Sequence, residues 1–203
     1  MAMIAEKGGF FLERYLAFPL LLFIFLFFLS FSAVPCTAKD EIRPVITDVL
    51  LTTCQDSLCI NFRLRNGLTR AMEQILQGGI PVVYVYKISL EHKRMLWDDK
   101  LKDIEIRRTI ALDNIRDEYI LNFSYPLTRI ITASHMNEAA DYLLTVKQLP
   151  VIKLKKLVKG RKYTILIRAF VKKEDTSMPF KRLIKIFSSF DFSTDPYEIE
   201  FQY

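Results

Sequence analysis

The sequence predicts an α+β fold, mainly antiparallel β and sandwich-like, with two or three short helices behind one N-terminal hydrophobic helix. Three observations carry that expectation. Apolar and polar residues alternate with period 2 through most of the chain after residue 38, which marks half-buried strands. Short stretches of helical spacing sit between those strands, the first ending at Gly78-Gly79. Tyr15 to Ala38 (YLAFPLLLFIFLFFLSFSAVPCTA) runs for 24 residues without a charge.

That uncharged run is long enough to cross a hydrocarbon core as a helix, which takes about 20 residues. Its flanks carry Lys7 and Arg14 balanced by Glu6 and Glu13, with Lys39 and Arg43 close behind, so the positive-inside bias is weak. The usual behaviour of a first hydrophobic segment puts the N-terminus inside. Cleavage as a signal peptide would fall after Ala38 or after Ser32, yet neither site has an ideal Ala-x-Ala pattern. Pro35 before Cys36 argues against lipidation. The apolar run also exceeds the 7–15 residues of a signal-peptide core, which favours an uncleaved single-span anchor. The expected organisation is residues 1–38 as signal peptide or single transmembrane anchor, then 39–203 as one exported β-rich domain.

Within that domain, Ile60, Phe62 and Leu64 alternate with Asn61, Arg63 and Arg65. Val82, Tyr84, Tyr86, Ile88 and Leu90 form a second strand pattern. Ile104, Ile106, Ile110 and Leu112 alternate with Glu105, Arg107 and Thr109. The polar turn Asp113 to Glu118 then leads back through Tyr119, Leu121, Phe123 and Tyr125, a hairpin signature. Tyr163, Ile165, Ile167, Ala169 and Val171 follow Gly160, and the last pattern is Tyr197, Ile199, Phe201, Tyr203. One apolar and one polar face per strand indicates antiparallel sheet. Helical spacing predicts Leu68 to Gln77, capped by Asn66, and His135 to Val146, capped by Ser134. Pro179 to Phe187 forms a third helical pattern. Val151 to Leu157 alternates Ile152 and Leu154 with Lys153 and Lys155, which reads as strand.

Composition bounds the function. A hydrophobic content of 51% with 13% aromatic residues excludes a disordered tail. The N-terminal segment is neutral overall, so the exported part carries the net charge of +6. Between Lys147 and Lys185 stand 13 Lys and Arg against Glu174 and Asp175. Such a surface either keeps the domain soluble or meets an acidic partner or anionic head groups. Export removes the usual nucleic-acid ligand, so no nucleic acid is expected.

Cys54 and Cys59 flank the candidate turn QDSL and can share one side of paired strands. An oxidising compartment would permit a cross-strand disulfide there, with two free thiols as the alternative. Asp48, Thr52, Cys54, Cys59, Asn61 and Arg63 fall on the more polar face. Metal binding is poorly supported, because only His92 and His135 supply imidazoles. On the second helix His135, Glu138 and Asp141 share part of a face, a set capable of acid–base or metal chemistry but also ordinary for a solvated helix face. No Gly-x-Ser-x-Gly, Walker or dinucleotide glycine pattern occurs, and neither catalytic residues nor cofactors are expected. Trp97, in MLWDDK, lies on a connection where aromatic side chains often anchor partners, although core packing is the commoner role for a lone Trp.

Several stretches in this order carry a resemblance: GGIP running into VVYVYKI (Gly78 to Ile88), NEAADYLLTVKQLPVI (Asn137 to Ile152), KGRKYTILIRAFV (Lys159 to Val171) and MPFKRLIKIFSSFDFSTDPYEIEF (Met178 to Phe201). The chain from about Ile42 to Tyr203 resembles a family of exported bacterial proteins catalogued as a domain of unknown function, often encoded beside an NtrY-like sensor histidine kinase. That resemblance implies an envelope protein, its domain periplasmic and tethered to the inner membrane, serving a membrane sensor. The expected function is non-enzymatic binding of a protein partner, with Trp97, Lys153, Lys155 and Lys156 as the surface. The alternative is a carrier or chaperone for an apolar ligand such as lipid, in a cavity lined by Tyr84, Tyr86, Phe123 and Phe170. An enzyme acting through His135, Glu138 and Asp141 ranks third.

Overall fold

The computed structural model describes residues 43–93, 99–173 and 192–203. The N-terminal apolar run, the 179–187 helical pattern and Trp97 lie outside the described residues. From Ile42 onward the chain forms one compact unit. Its strands are β1 (Val45–Cys54), β2 (Ser57–Arg65), β3 (Val82–His92), β4 (Asp99–Asp113), β5 (Glu118–Phe123), β6 (Arg129–Ala133), β7 (Thr145–Lys153), β8 (Lys162–Lys173), β9 (Phe192–Ser193) and β10 (Tyr197–Gln202). Two short helices, α1 (Arg70–Gln77) and α2 (Met136–Leu144), complete the described elements, with a 3-10 turn at Leu154–Lys156.

All strand pairs are antiparallel. One sheet has three strands in the order β1-β2-β7, and the other runs β10-β8-β3-β4-β5-β6 with β9 also on β8. The inward residues of both sheets form one core, and the rings of Phe62 on β2 and Tyr86 on β3 meet edge-on, their centroids 5.5 Å apart. The expected α+β, mainly antiparallel architecture with two short helices is therefore present. Period 2 places the inward sets correctly: Ile60, Phe62, Leu64, Ile104, Ile106, Ile110, Ile165 and Ile167 are all buried.

The helices differ from expectation at their ends. Helix α1 starts at Arg70, because extended Thr69 takes the N-cap and its hydroxyl accepts from the Met72 N–H at 3.4 Å. Asn66, expected as the cap, instead turns the chain in the left-handed region at φ 57° and donates from its side-chain amide to the Arg43 carbonyl. In α2, His135 and not Ser134 holds the N-cap position, without a side-chain bond. The helix stops at Leu144, short of the expected Val146, since Thr145 is already extended (φ −109°, ψ 120°) and opens β7. Helix passes into strand with no loop between. At the other end of β7, the strand expected to reach Leu157 stops at Lys153. Leu154 and Leu157 are three apart, so the tight turn puts both against the core, with Leu157 buried and Leu154 partly so.

A helix that ends without a glycine cap leaves its last carbonyls in need of donors. Here Arg108 supplies them. It occupies an inward position of β4, on the parity of Ile106 and Ile110, and is 8% exposed. Its Nη1 donates to the carbonyls of Tyr142 (2.6 Å), Leu143 (3.1 Å) and Thr145 (2.7 Å). The guanidinium lies over the rings of Phe123 and Tyr86, 5.1 and 5.8 Å from their centroids. Burial, followed by the neighbouring Arg129, pulls its pKa below the ordinary arginine value. The negative end of α2 and the ring faces compensate the buried charge.

Two phenols complete the arrangement. Tyr86 donates to the Leu143 carbonyl at 2.9 Å, and Tyr84 to the Gly67 carbonyl at 2.8 Å. Burial pushes both phenol pKa values up, so they remain donors across the physiological range. Replacing Arg108 with Leu strands several buried carbonyls. The expected cost is about 2–4 kcal/mol of unfolding free energy. Arg107→Leu, next along the strand but exposed, is expected to stay within about 0.5 kcal/mol of the parent. Urea unfolding of both variants checks this, and equal losses contradict the assigned role of Arg108.

Candidate functional site

The 154–161 connection between β7 and β8 gathers positive charge on a loop held by hydrogen bonds. Lys155, Lys156, Lys159 and Arg161 are all exposed there, and none has an ion-pair partner among the described residues, while Lys162, exposed at the start of β8, acts on the Glu200 carboxylate. Lys153 is exposed too but lies 3.4 Å from the Asp56 carboxylate. Of the surface expected from sequence, Lys155 and Lys156 are thus available, Lys153 is partly neutralised, and Trp97 is outside the described residues. Lys159, Arg161 and Lys162 fall within the basic stretch from Lys147 to Lys185 noted from sequence but were not singled out there.

What sequence could not provide is the loop's fixed shape. Leu157 is buried, and its N–H donates to the Leu154 carbonyl at 2.9 Å. The Val158 N–H donates to the Tyr163 hydroxyl at 2.8 Å. Gly160 sits at φ 78°, a conformation that suits glycine, and its N–H donates to the Tyr203 carbonyl. Arg161 and Tyr203 are joined by a further backbone bond, and the Gln202 amide donates to the Gly160 carbonyl at 3.1 Å. Beneath the loop Tyr163 stacks on Phe201 and meets His92, both with centroids 5.5 Å away. His92 is the last residue of β3.

The β1–β2 hairpin supports the loop from the other side. Asp56 in its turn accepts at its carbonyl from the Leu154 N–H, 2.8 Å away. Hydrogen bonding from Ser57, then Lys153, holds the Asp56 carboxyl below its ordinary value of 3.8. Cys54 and Cys59 close this hairpin with Cα atoms 5.8 Å apart, inside the range a disulfide spans, and their sulfurs are in bonding contact. They are diagonal neighbours: Cys54 faces Ser57 and Cys59 faces Thr52. Cys59, expected on the polar face, is fully buried, with Pro150 of β7 as its other register partner.

The second feature is an open cleft of about 300 Å³ between β2 and α2, lined by Asp48, Arg63, Arg65, Asn66, Asn137 and Asp141 among others. Of the three residues considered for acid–base work, only Asp141 lines it. His135 and Glu138 are exposed elsewhere on the helix. Asp141 is committed to Arg63, to the Thr145 hydroxyl (3.1 Å) and to Lys147 (3.9 Å). These three side chains do not converge. Among the described residues there is no group of three or more His, Cys, Asp and Glu placed to hold a metal ion, and no helix is long and apolar enough to cross a membrane.

The cavity expected from Tyr84, Tyr86, Phe123 and Phe170 is also corrected. The first three are packed into the core, almost without exposure. Phe170 pairs with Val85, whose side chain lies on the opposite face of the sheet from Tyr84 and Tyr86, so the four cannot line one space.

Acid titration probes the hairpin's grip on the basic loop. A depressed folded pKa means that the contribution of Asp56 is present above the ordinary aspartate value and is lost as pH falls through the folded value. Carboxyl-carbon NMR is expected to give Asp56 a midpoint below 3.8 that rises in Lys153→Ala. A midpoint unmoved by that substitution contradicts the Lys153–Asp56 contact.

No curated protein and no solved structure gives a significant match to the chain. Residues 43–200 match the family described as Domain of unknown function (DUF4390), a span that takes in both sheets and both helices. The chain belongs to the DUF4390 family.

Proposed function

We propose that this chain is a non-enzymatic envelope protein whose periplasmic domain binds an acidic surface on a protein partner through the 154–161 loop. One observation carries the reading: four exposed cations without acidic partners among the described residues, Lys155, Lys156, Lys159 and Arg161, stand on a loop held by backbone hydrogen bonds. Ordering a loop is a cost of binding, and a loop held in advance avoids most of it. Unpaired charges of one sign also steer an oppositely charged partner and set its register.

Arg43 enters the domain where Val45 pairs with Arg65, while Lys153 lies beside Ser57 at the other end of β2. Strand rise over β1 separates these ends by about 30 Å. The chain therefore enters this sheet at the far end from the basic loop. The external part of a sensor kinase is the partner that the family resemblance puts first.

Charge reversal at Lys155, Lys156 and Lys159 tests the reading. Capture of an acidic partner is expected to weaken at least about tenfold, with a steep salt dependence in the parent and a shallow one in the variant. The melting temperature should move by no more than about 2 °C, since surface substitutions of this kind cost little. Unchanged capture by the folded variant removes this surface from consideration.

A further inference from the structure

The turn between Cys54 and Cys59 is also the turn that holds the basic loop. Gln55 takes a left-handed conformation at φ 52°, which brings Asp56 round to face β7. The Asp56 carbonyl then receives the N–H of Leu154, the first residue of the turn that carries Lys155 and Lys156. Its carboxylate lies 3.4 Å from Lys153, the residue immediately before. The ladder that backs these contacts is short and irregular. Beyond the Ser57–Lys153 and Leu58–Ile152 pairs the register shifts, and Cys59 meets Pro150, which has no N–H to give. The Cys54–Cys59 link therefore closes the hairpin beside one of the irregularities in the ladder to β7.

We propose that the Cys54–Cys59 disulfide is a redox control on the basic loop, and this rests on the reading of that loop as the partner surface. In the disulfide form the hairpin end is closed, the Asp56 carbonyl stays under Leu154, and the cations keep a fixed arrangement. Reduction releases the end of β1, the Asp56 turn frays, and Leu154–Lys156 lose their support. The two sulfurs differ in access: Cys54 is half-buried and Cys59 fully buried. A reducing dithiol attacks Sγ of Cys54. The sulfur–sulfur bond breaks, Cys59 leaves as a thiolate and takes up a proton, and the donor is held as a mixed disulfide on Cys54. The donor's second thiol then displaces Cys54. Two electrons and two protons pass to the cysteine pair, and the donor leaves as a disulfide.

The test uses the full chain in nanodiscs, with the phosphine TCEP as reductant and a poly-glutamate peptide as acidic probe. Residue-resolved hydrogen exchange at the Leu154 amide reads the coupling without any partner. That exchange is expected to quicken about tenfold on reduction, as the constraint of a short closed loop is lost. The Cys54→Ser/Cys59→Ser double variant should match the reduced protein, and poly-glutamate affinity should fall about threefold or more in both. Unchanged Leu154 exchange after both thiols have become alkylatable overturns the proposal, as does a pair that stays unreactive to TCEP in the folded protein. If Leu154 responds but poly-glutamate binds neither form, the partner-surface reading fails and the redox control of binding fails with it. If poly-glutamate binds both forms equally, only the redox control is lost.

Discussion

The buried guanidinium of Arg108 is the constraint on which the described domain turns. A helix that becomes a strand at the next residue has no loop in which to cap its own carbonyls. Arg108 removes that difficulty from a different sheet, by reaching Tyr142, Leu143 and Thr145 from β4. The arrangement fixes three things together: the end of α2, the start of β7, and the height of the three-stranded sheet above β3 and β4. Tyr86 shares the Leu143 carbonyl and touches Phe62, so the same few atoms also join the two halves of the core. The charge is affordable only because the helix end and two aromatic faces surround it.

Strand β7 connects that junction to the basic loop. The strand carries the chain from Thr145, under Arg108, to Lys153, beside the hairpin turn. From there the support is provided by elements distant in sequence. Tyr163 and Phe201 form the floor, Tyr203 binds Gly160, and Asp56 binds Leu154. Four cations could be arranged on a mobile tail at no structural cost, where they would serve solubility. Holding them on a loop whose Leu154, Leu157, Val158, Gly160 and Arg161 N–H groups are committed to the fold supports the proposed recognition surface.

Much of the fold was legible because strand parity is a local property. A residue's face follows from its neighbours two places away, and Phe62, Ile106 and Ile167 declare themselves in that way. The same rule exposes Arg108, an arginine on the inward parity of β4, although its partners on α2 are not visible from sequence. Other features were hidden for identifiable reasons. Strand β6 carries adjacent Ile130 and Ile131, which blurs alternation: Ile130 is 68% exposed while Ile131 packs on the core. The start of β7 was masked because Leu143, Leu144 and Val146 continue a helical spacing. Phe170 was placed with Tyr84 and Tyr86 only by ignoring its parity. The positive charge of the loop was plain in the sequence, but its fixed shape depends on contacts with residues about 40 and 100 positions away, which no local pattern encodes.

Site-specific photocrosslinking in intact cells tests the central claim most directly, with the crosslinker at position 159 on the basic loop or at position 116 on the β4–β5 turn. The account predicts a product from position 159 whose crosslinked peptide is rich in Asp and Glu, absent from position 116. The same products from both positions, or phospholipid alone from position 159, would contradict it.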